Sequence, residues 1–400
     1  MPGPGRIVYT QDGDLGDNKR LATLSLFLIV HQALNPMAAE QTPSVASTAS
    51  ARSPLYEAST QYRHWRFSPE QLAHTRTTLN EAAVKVIRDA FEADSPGTSA
   101  DVSFLDADEE LLLVKLYASK VSQFCGHFRF PEEVEATAVT YLKRFYLKNT
   151  VMDWHPKNVM LTTLFLATKT TNHPIALEHF AAHIPRTSPS DVVDIEFLVA
   201  QSLGFDFAVW HTHRALWGLW LDLQALPDID LNELRKAYDI ALAHVRASRL
   251  TDAELIYAPS QIALACMSLA SPGLASAWAR AKCSSPGSTP GSPSDSSSPT
   301  PDTAMLQLLE PIKNMILTQG SPPEVEAVRE VDRRLKLCKN PEKIVGSNAY
   351  NKKREEQERK AAEKRTRKAA QIRKAMADGD PFGSELGDQM LVDDDDDDDD

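Results

Sequence analysis

Apolar residues recur at three- and four-residue steps through most of this chain, the spacing that puts them on one face of a helix. Ser68–Pro69–Glu70 is a helix start, a capping serine followed by proline, and the pattern runs to about Phe91. Residues 93–103, "ADSPGTSADVS", read as a loop. Asp106 and Asp108 are caps for a helix that carries Leu113, Tyr117, Val121, Phe124 and Phe128. Pro131 opens the next, with Val134, Ala138, Leu142 and Phe145 on one face. From Pro156 to about Thr171, Val159, Met160, Leu161, Leu164, Phe165, Leu166 and Ala167 cover nearly the whole circumference, so this helix is expected to be buried on most sides. Yet it finishes on Lys169. Spacing alone leaves two readings open: a solvated last-turn cation that suits the helix dipole, or the charged edge of a binding surface. A short helix runs to 184, and Ser188–Pro189, with Asp191 in the first turn, opens a longer one carrying Val192, Ile195 and Val199 to about Gly204.

A second helical block begins at Val209, with helices expected at about 211–225, 231–249, 259–271, 273–282 and 303–319. It echoes the first. "PKNVMLTTLFLATK" from Pro156 lies over "PSQIALACMSLAS" from Pro259: Val159 on Ile262, Leu161 on Leu264, Leu164 on Met267, Leu166 on Leu269 and Ala167 on Ala270. Each block thus has a central apolar helix opened by proline, which suggests tandem five-helix units of roughly 100 residues. The stretch 284–301, rich in Ser, Pro and Gly, interrupts the second block as an exposed loop. A further helix is expected at about 323–339. Beyond it, 352–374 mixes Lys and Arg with Glu without an apolar stripe, and reads as a solvated helix or a disordered segment.

With 16 glycines in 400 residues, Leu and Ala dominant, and no long alternating β-branched run, the chain is expected to be all-α. The net charge is −12, but eight of those charges are Asp393–Asp400, so acidity is a property of the tail. Cys125, Cys266, Cys283 and Cys338 form no CxxC pair; the first two sit in apolar helical stretches as small hydrophobes of a reducing compartment. "KRLATLSLFLIVHQAL" (19–34) has the outline of a signal peptide, but its apolar run is too short to span a bilayer. Met37 is an alternative start, followed by an ordinary disordered N-terminus; no membrane association is expected.

No Walker A, GxGxxG, HExxH or GxSxG motif occurs. His179 and His183, at i and i+4, have no third ligand at a telling spacing, so neither metal nor cofactor is expected. The basic stretch lacks the interleaved aromatics of a single-strand binder, and reads as a solvated face or a nuclear import signal; no direct nucleic-acid contact is expected.

Four stretches, in order between residue 61 and about 340, resemble the cyclin H family: "RHWRFSPEQLAHTR" (63–76), "YLKRFYLKNTVMDWHPKNVMLTTLFLATK" (141–169), "LTDAELIYAPSQIAL" (250–264) and "LLEPIKNMI" (308–316). The resemblance implies a disordered or mis-assigned N-terminus over 1–60, an N-terminal helix and loop over 61–103, and cyclin boxes over 104–207 and 208–320. A C-terminal helix over 321–345 and a charged tail over 346–400 complete the outline. It implies a nuclear, non-catalytic subunit that activates a cyclin-dependent kinase within the CDK-activating module of transcription factor IIH. That module phosphorylates the RNA polymerase II C-terminal repeats and CDK activation loops; its further partners are a RING-finger assembly factor and core transcription factor IIH. By the same resemblance Lys169 and Glu196 reach the kinase, with Leu166, Phe205 and Phe207 as apolar contacts near them. Trp65 and Phe67 fall on an N-terminal helix anchor.

The sequence departs from the wider cyclin pattern in two places. Thr170, Thr171 and Asn172 stand where many cyclins have acidic residues, and "EELLLVKLYASKV" replaces the MRAIL-type patch that recruits substrates, so recruitment through that groove is not expected. Ser285, Thr289, Ser292, Ser298 and Thr300 each precede proline, as proline-directed kinases favour; they are candidate phosphosites or parts of a plain spacer. Two rival readings are a transcriptional cyclin of the C, K or T type, and a factor-IIB-like protein whose twin cyclin folds bind DNA and polymerase. The latter calls for a basic repeat surface and a zinc ribbon.

Overall fold

The computed structural model describes residues 55–283 and 301–377. The five Ser/Thr-Pro steps, the N-terminal stretch with Met37 and the aspartate run lie outside them. The described residues are helical, without strands. In chain order the helices are α1 (Thr60–His64), α2 (Pro69–Asp94), α3 (Ala107–Phe128), α4 (Glu132–Phe145), α5 (Pro156–Thr170), α6 (Leu177–Ala182), α7 (Pro189–Val193), α8 (Glu196–Ser202), α9 (Thr212–Gln224), α10 (Leu231–Ser248), α11 (Ala253–Ile256), α12 (Pro259–Ala270), α13 (Pro272–Cys283), α14 (Pro301–Gln307), α15 (Glu310–Gln319), α16 (Val325–Leu337) and α17 (Asn348–Ala377).

The starts follow the expected chemistry. Ser68 and Gln71 form a reciprocal capping box on α2, and Asp106 does the same with Glu109 on α3, leaving Asp108 in the first turn. Pro156 and Pro259 are the first residues of α5 and α12. Both central helices are buried nearly all round. Val159, Leu161 and Leu164 sit in one core with residues of α3, α4 and α16; Ile262, Leu264 and Met267 sit in a second with α9, α10 and α15. The echo in sequence is therefore an echo in packing, with one such helix at the centre of each bundle.

Three expectations need correction. The loop 93–103 contains a 3₁₀ turn over Thr98–Asp101, entered through Gly97 at φ 85°. The helix expected from Ser188 to Gly204 is two helices, α7 and α8. In a continuous helix the Val192 carbonyl would accept from the Glu196 N–H; here it accepts the Thr162 hydroxyl of α5 at 2.8 Å. The helix expected over 303–319 is also two, because Pro311 has no N–H to donate to Gln307.

Charged pairs join the bundles. Glu132, in the first turn of α4, meets Arg249 at 2.6 Å and Arg246 at 2.7 Å; Glu135 meets Arg249 at 3.0 Å. Lys143 meets Glu254 at 2.6 Å and also donates to the carbonyls of Arg249 and Thr251. A third, smaller core ties the N-terminal segment to both bundles: Trp65 and Leu72 pack with Leu147 of the first and with Leu255 and Ile256 of the second. There the Phe67 N–H donates to the Leu255 carbonyl at 2.8 Å.

Residues 341–377 belong to a separate unit. Its helix α17 buries Ala349 near its start and is otherwise largely exposed and charged as far as Lys374, with i,i+4 pairs such as Lys360–Glu356 at 3.2 Å. Among the described residues, no helix is long and apolar enough to cross a membrane.

Candidate partner-binding face

Lys169 is in the last turn of α5, and its charge has a partner. The break between α7 and α8 makes Glu196 the first residue of α8, and the two side chains form an ion pair. The Lys169 ammonium also lies 4.6 Å from the centre of the Phe165 ring. The lysine remains 40% exposed and the glutamate 22%, so the pair sits at the surface rather than within the core. The two residues singled out from the resemblance thus form one feature in space.

The residues after Lys169 end the helix. The hydroxyls of Thr170 and Thr171 both donate back to the Ala167 carbonyl, at 3.3 and 2.7 Å, and Asn172 takes a left-handed conformation (φ 61°). Asparagine is among the few residues that do so readily. Where many cyclins carry acid, this chain carries a C-cap.

Beside the pair, exposed aromatics form an edge. Phe197 follows Glu196, and Phe205 is 55% exposed; their ring centres are 6.2 Å apart in an edge-to-face arrangement. Phe207 is partly buried, edge-on to Phe205 at 6.2 Å and tilted against Tyr141 at 6.1 Å. Leu166 is different. It is buried in the first core and presents little surface to a partner.

The loop carrying Phe205 is strained and strongly held. Gly204 and Phe205 are both left-handed, at φ 61° and 58°. Glycine takes this without penalty, but a phenylalanine there costs about 1–2 kcal/mol and persists only where its surroundings fix it. The Tyr141 hydroxyl donates to the Phe207 carbonyl at 2.7 Å, and Arg144 donates to the Asp206 carbonyl at 3.3 Å. Burial pushes the Tyr141 phenol up to about 12 and Arg144 down to about 10, so at neutral pH one keeps its proton and the other its charge. Trp65 is buried; Arg144 and Lys148 lie against its ring, each 4.9 Å from the centre, and its indole N–H donates to Asp206 Oδ2 at 3.1 Å.

Phe197, Asp206, Tyr141 and Arg144 were not singled out from sequence. Phe197 had a signal, an aromatic directly after Glu196; the other three matter through contacts 60 or more positions apart in the chain, as with Arg144 and Asp206. His183 Nδ1 is 2.8 Å from the His179 carbonyl, a local contact within one turn of chain. Among the described residues no group of three or more His, Cys, Asp or Glu side chains is placed to hold a metal ion. Cys125, Cys266 and Cys338 are buried and Cys283 is exposed. Burial pushes the Cys125 and Cys266 thiols up to about 12, which keeps both inert as nucleophiles at neutral pH.

Residues 116–208 match the model of the cyclin N-terminal domain, and residues 211–317 that of the cyclin C-terminal domain. Cyclin mcs2 of Schizosaccharomyces pombe is 30% identical over 75% of this chain and 90% of its own length. A probable cyclin-H of Echinococcus multilocularis is 36% identical over 52% of this chain and 70% of its own. A chain in the structure of the CAK complex from Chaetomium thermophilum bound to ATP-gamma-S superposes with a TM-score of 0.65 at 29% identity, covering 76% of this chain and 94% of that one. A chain in the yeast TFIIK (Kin28/Ccl1/Tfb3) complex superposes with a TM-score of 0.51 at 30% identity, over 65% of this chain and all of the other. The tandem bundles, each built on a proline-opened apolar helix, are cyclin boxes, and the chain belongs to the cyclin family, in its cyclin H branch.

Proposed function

We propose that this chain is the regulatory cyclin of a CDK-activating kinase module of the transcription factor IIH type. It binds a cyclin-dependent kinase and raises its activity toward the RNA polymerase II C-terminal repeats and toward CDK activation loops. It supplies no catalytic group. Its action is conformational. The first box packs on the mobile helix of the kinase, whose glutamate must pair with the ATP-binding lysine before phosphate can be transferred. Binding that is tighter to the active arrangement draws the population there; moving it from 1:99 to 99:1 needs a differential of about 5.5 kcal/mol.

The observation that carries this reading is the Lys169–Glu196 pair beside exposed Phe197 and Phe205, on the first box of a chain that matches a CAK-complex chain over 94% of the latter's length. Aromatic surface is enriched at interface centres, and a charged pair suits the polar rim beside one. A RING-finger assembly factor, core transcription factor IIH and a nuclear location belong to the same reading, supported by the CAK and TFIIK complexes in which the neighbouring chains occur. The test is reconstitution: the full chain is added to its purified kinase partner, and phosphorylation of a C-terminal repeat peptide is followed. The proposal expects a rate that saturates at one cyclin per kinase. A rate unchanged by the cyclin would overturn it.

A further inference from the structure

Asp206 lies between Phe205 and Phe207 and does not face the partner side with them. Its carboxylate is the meeting point of the N-terminal segment and the first box. Oδ2 accepts the indole N–H of Trp65 at 3.1 Å and lies 2.8 Å from Nδ1 of His64, both in the residues that end α1. Asp206 also accepts Arg144 through its own carbonyl. Arg144 and Lys148 in turn lie against the two-ring surface of Trp65. The tryptophan is thus held in place by α4 and its C-terminal turn, while its single polar atom is spent on one loop residue. That loop residue directly follows a phenylalanine in a left-handed conformation that its own backbone disfavours.

We propose that Trp65 is a positioning residue for the kinase-facing edge: through Asp206 it keeps Phe205 in the left-handed, outward conformation in which the ring meets the partner. This rests on the reading of Phe205 as a kinase contact. The N-terminal segment then contributes to kinase binding without touching the kinase, by removing the alternatives open to the loop before the partner arrives. Ordering an interface side chain in advance is a recognised source of affinity, because the entropy of fixing it is not lost on binding.

The experiment measures kinase affinity of the full chain for the wild type, Trp65→Phe, Phe205→Ala and the double variant. Phenylalanine keeps an aromatic ring for Arg144 and Lys148 and removes the N–H that reaches Asp206. Trp65→Phe is expected to weaken binding about 3- to 10-fold, less than the roughly 10-fold or more that a hydrogen bond to a charged acceptor is worth, because only the part that orders Phe205 reaches the kinase. Phe205→Ala is expected to weaken it about 10-fold or more. In the double variant the loss should equal that of Phe205→Ala alone, since the indole then has no ring left to position. Asp206→Asn keeps an acceptor for the indole and is expected to bind within about 2-fold of the wild type, whereas Asp206→Ala matches Trp65→Phe. A purely structural role for Trp65 predicts instead that the two losses multiply, and that result overturns the inference, as does unchanged affinity in Trp65→Phe. If Phe205→Ala alone leaves affinity unchanged, the reading of Phe205 as a kinase contact has failed, and this inference falls with it.

Discussion

Replacing Glu132 by glutamine should loosen the joint between the two boxes by an amount that the structure fixes. Burial alone would raise the Glu132 carboxyl, but hydrogen bonds from Arg246 and the adjacent charge of Arg249 outweigh it and hold the group at about 2, against an ordinary 4.5. At about 1.4 kcal/mol per pH unit, that difference corresponds to roughly 3 kcal/mol favouring the charged form in the folded chain. Glutamine removes the charge but keeps the size and one acceptor. Arg249, 6% exposed, also keeps Glu135 at 3.0 Å, so the cation is not stranded. The expected loss is therefore about 2 kcal/mol at pH 7, below the 3–5 kcal/mol seen when a buried charge is left wholly unpaired. Urea unfolding of the wild type and the variant, followed by tryptophan fluorescence from pH 7 down to pH 2, measures it. The sign is fixed by the depressed value: the stability Glu132 contributes is complete above pH 4.5 and is lost as pH falls toward 2. The gap between the two proteins should close across that window. A gap under about 0.5 kcal/mol at pH 7, or one that does not change with pH, would show that the charge of Glu132 does not hold the joint.

Other substitutions probe other parts of the fold. Burial, helped by the nearby charges of His213 and Arg249, lowers His211 from 6.5 to about 3. The unfolded chain therefore binds a proton there that the folded chain does not, and stability rises with pH between about 3 and 6.5. His211→Gln should flatten that rise by about 1.4 kcal/mol per pH unit in unfolding titrations. Glu110 has the opposite sign: burial pushes it up to about 7 despite hydrogen bonds from Val151, Asn80 and Thr150. Glu110→Gln should gain stability relative to the wild type as pH rises from 4.5 to 7, read from the same titrations. Leu164→Ala, a fully buried position on α5, should cost about 2–5 kcal/mol in urea unfolding, depending on how far the first box closes around the cavity. Gly204→Ala puts a Cβ on a left-handed residue with no close neighbour, so strain alone should act and lower stability by about 1 kcal/mol.

Helix starts and core faces were legible because they are written locally. Ser68 with Gln71, Asp106 with Glu109, and the prolines at 156 and 259 each act within a few residues of themselves. Where the fold departed from expectation, the cause was remote or a missing donor. The division of α7 from α8 goes with a bond from the hydroxyl of Thr162, 30 positions earlier, to the Val192 carbonyl, and that division is what makes Glu196 a helix start beside Lys169. The break before α15 was signalled by Pro311, but the apolar periodicity carried across it. Of the candidate face, Lys169, Glu196, Phe205 and Phe207 came from resemblance, not from spacing. That Lys169 and Glu196 pair with each other, that Phe205 is left-handed, and that Trp65, Arg144 and Tyr141 bond its neighbours Asp206 and Phe207, are facts of tertiary structure that no local pattern carries.

The proposed function places a cyclin-dependent kinase on the Lys169–Glu196 edge. Because these residues pair within the chain, exchanging them leaves neither charge unpartnered. Lys169→Glu combined with Glu196→Lys keeps an ion pair of the same two charges and reverses what a partner meets. The measurement is the affinity of the purified kinase for the full wild-type chain and for the exchanged variant, with unfolding midpoints recorded beside it. Binding is expected to weaken about 30-fold or more, the scale for misplacing interface charge, with the midpoint lowered only modestly, because the exchange also sets each charge against its helix dipole and gives up the Lys169 contact with the Phe165 ring. Equal affinity for both proteins would contradict that placement.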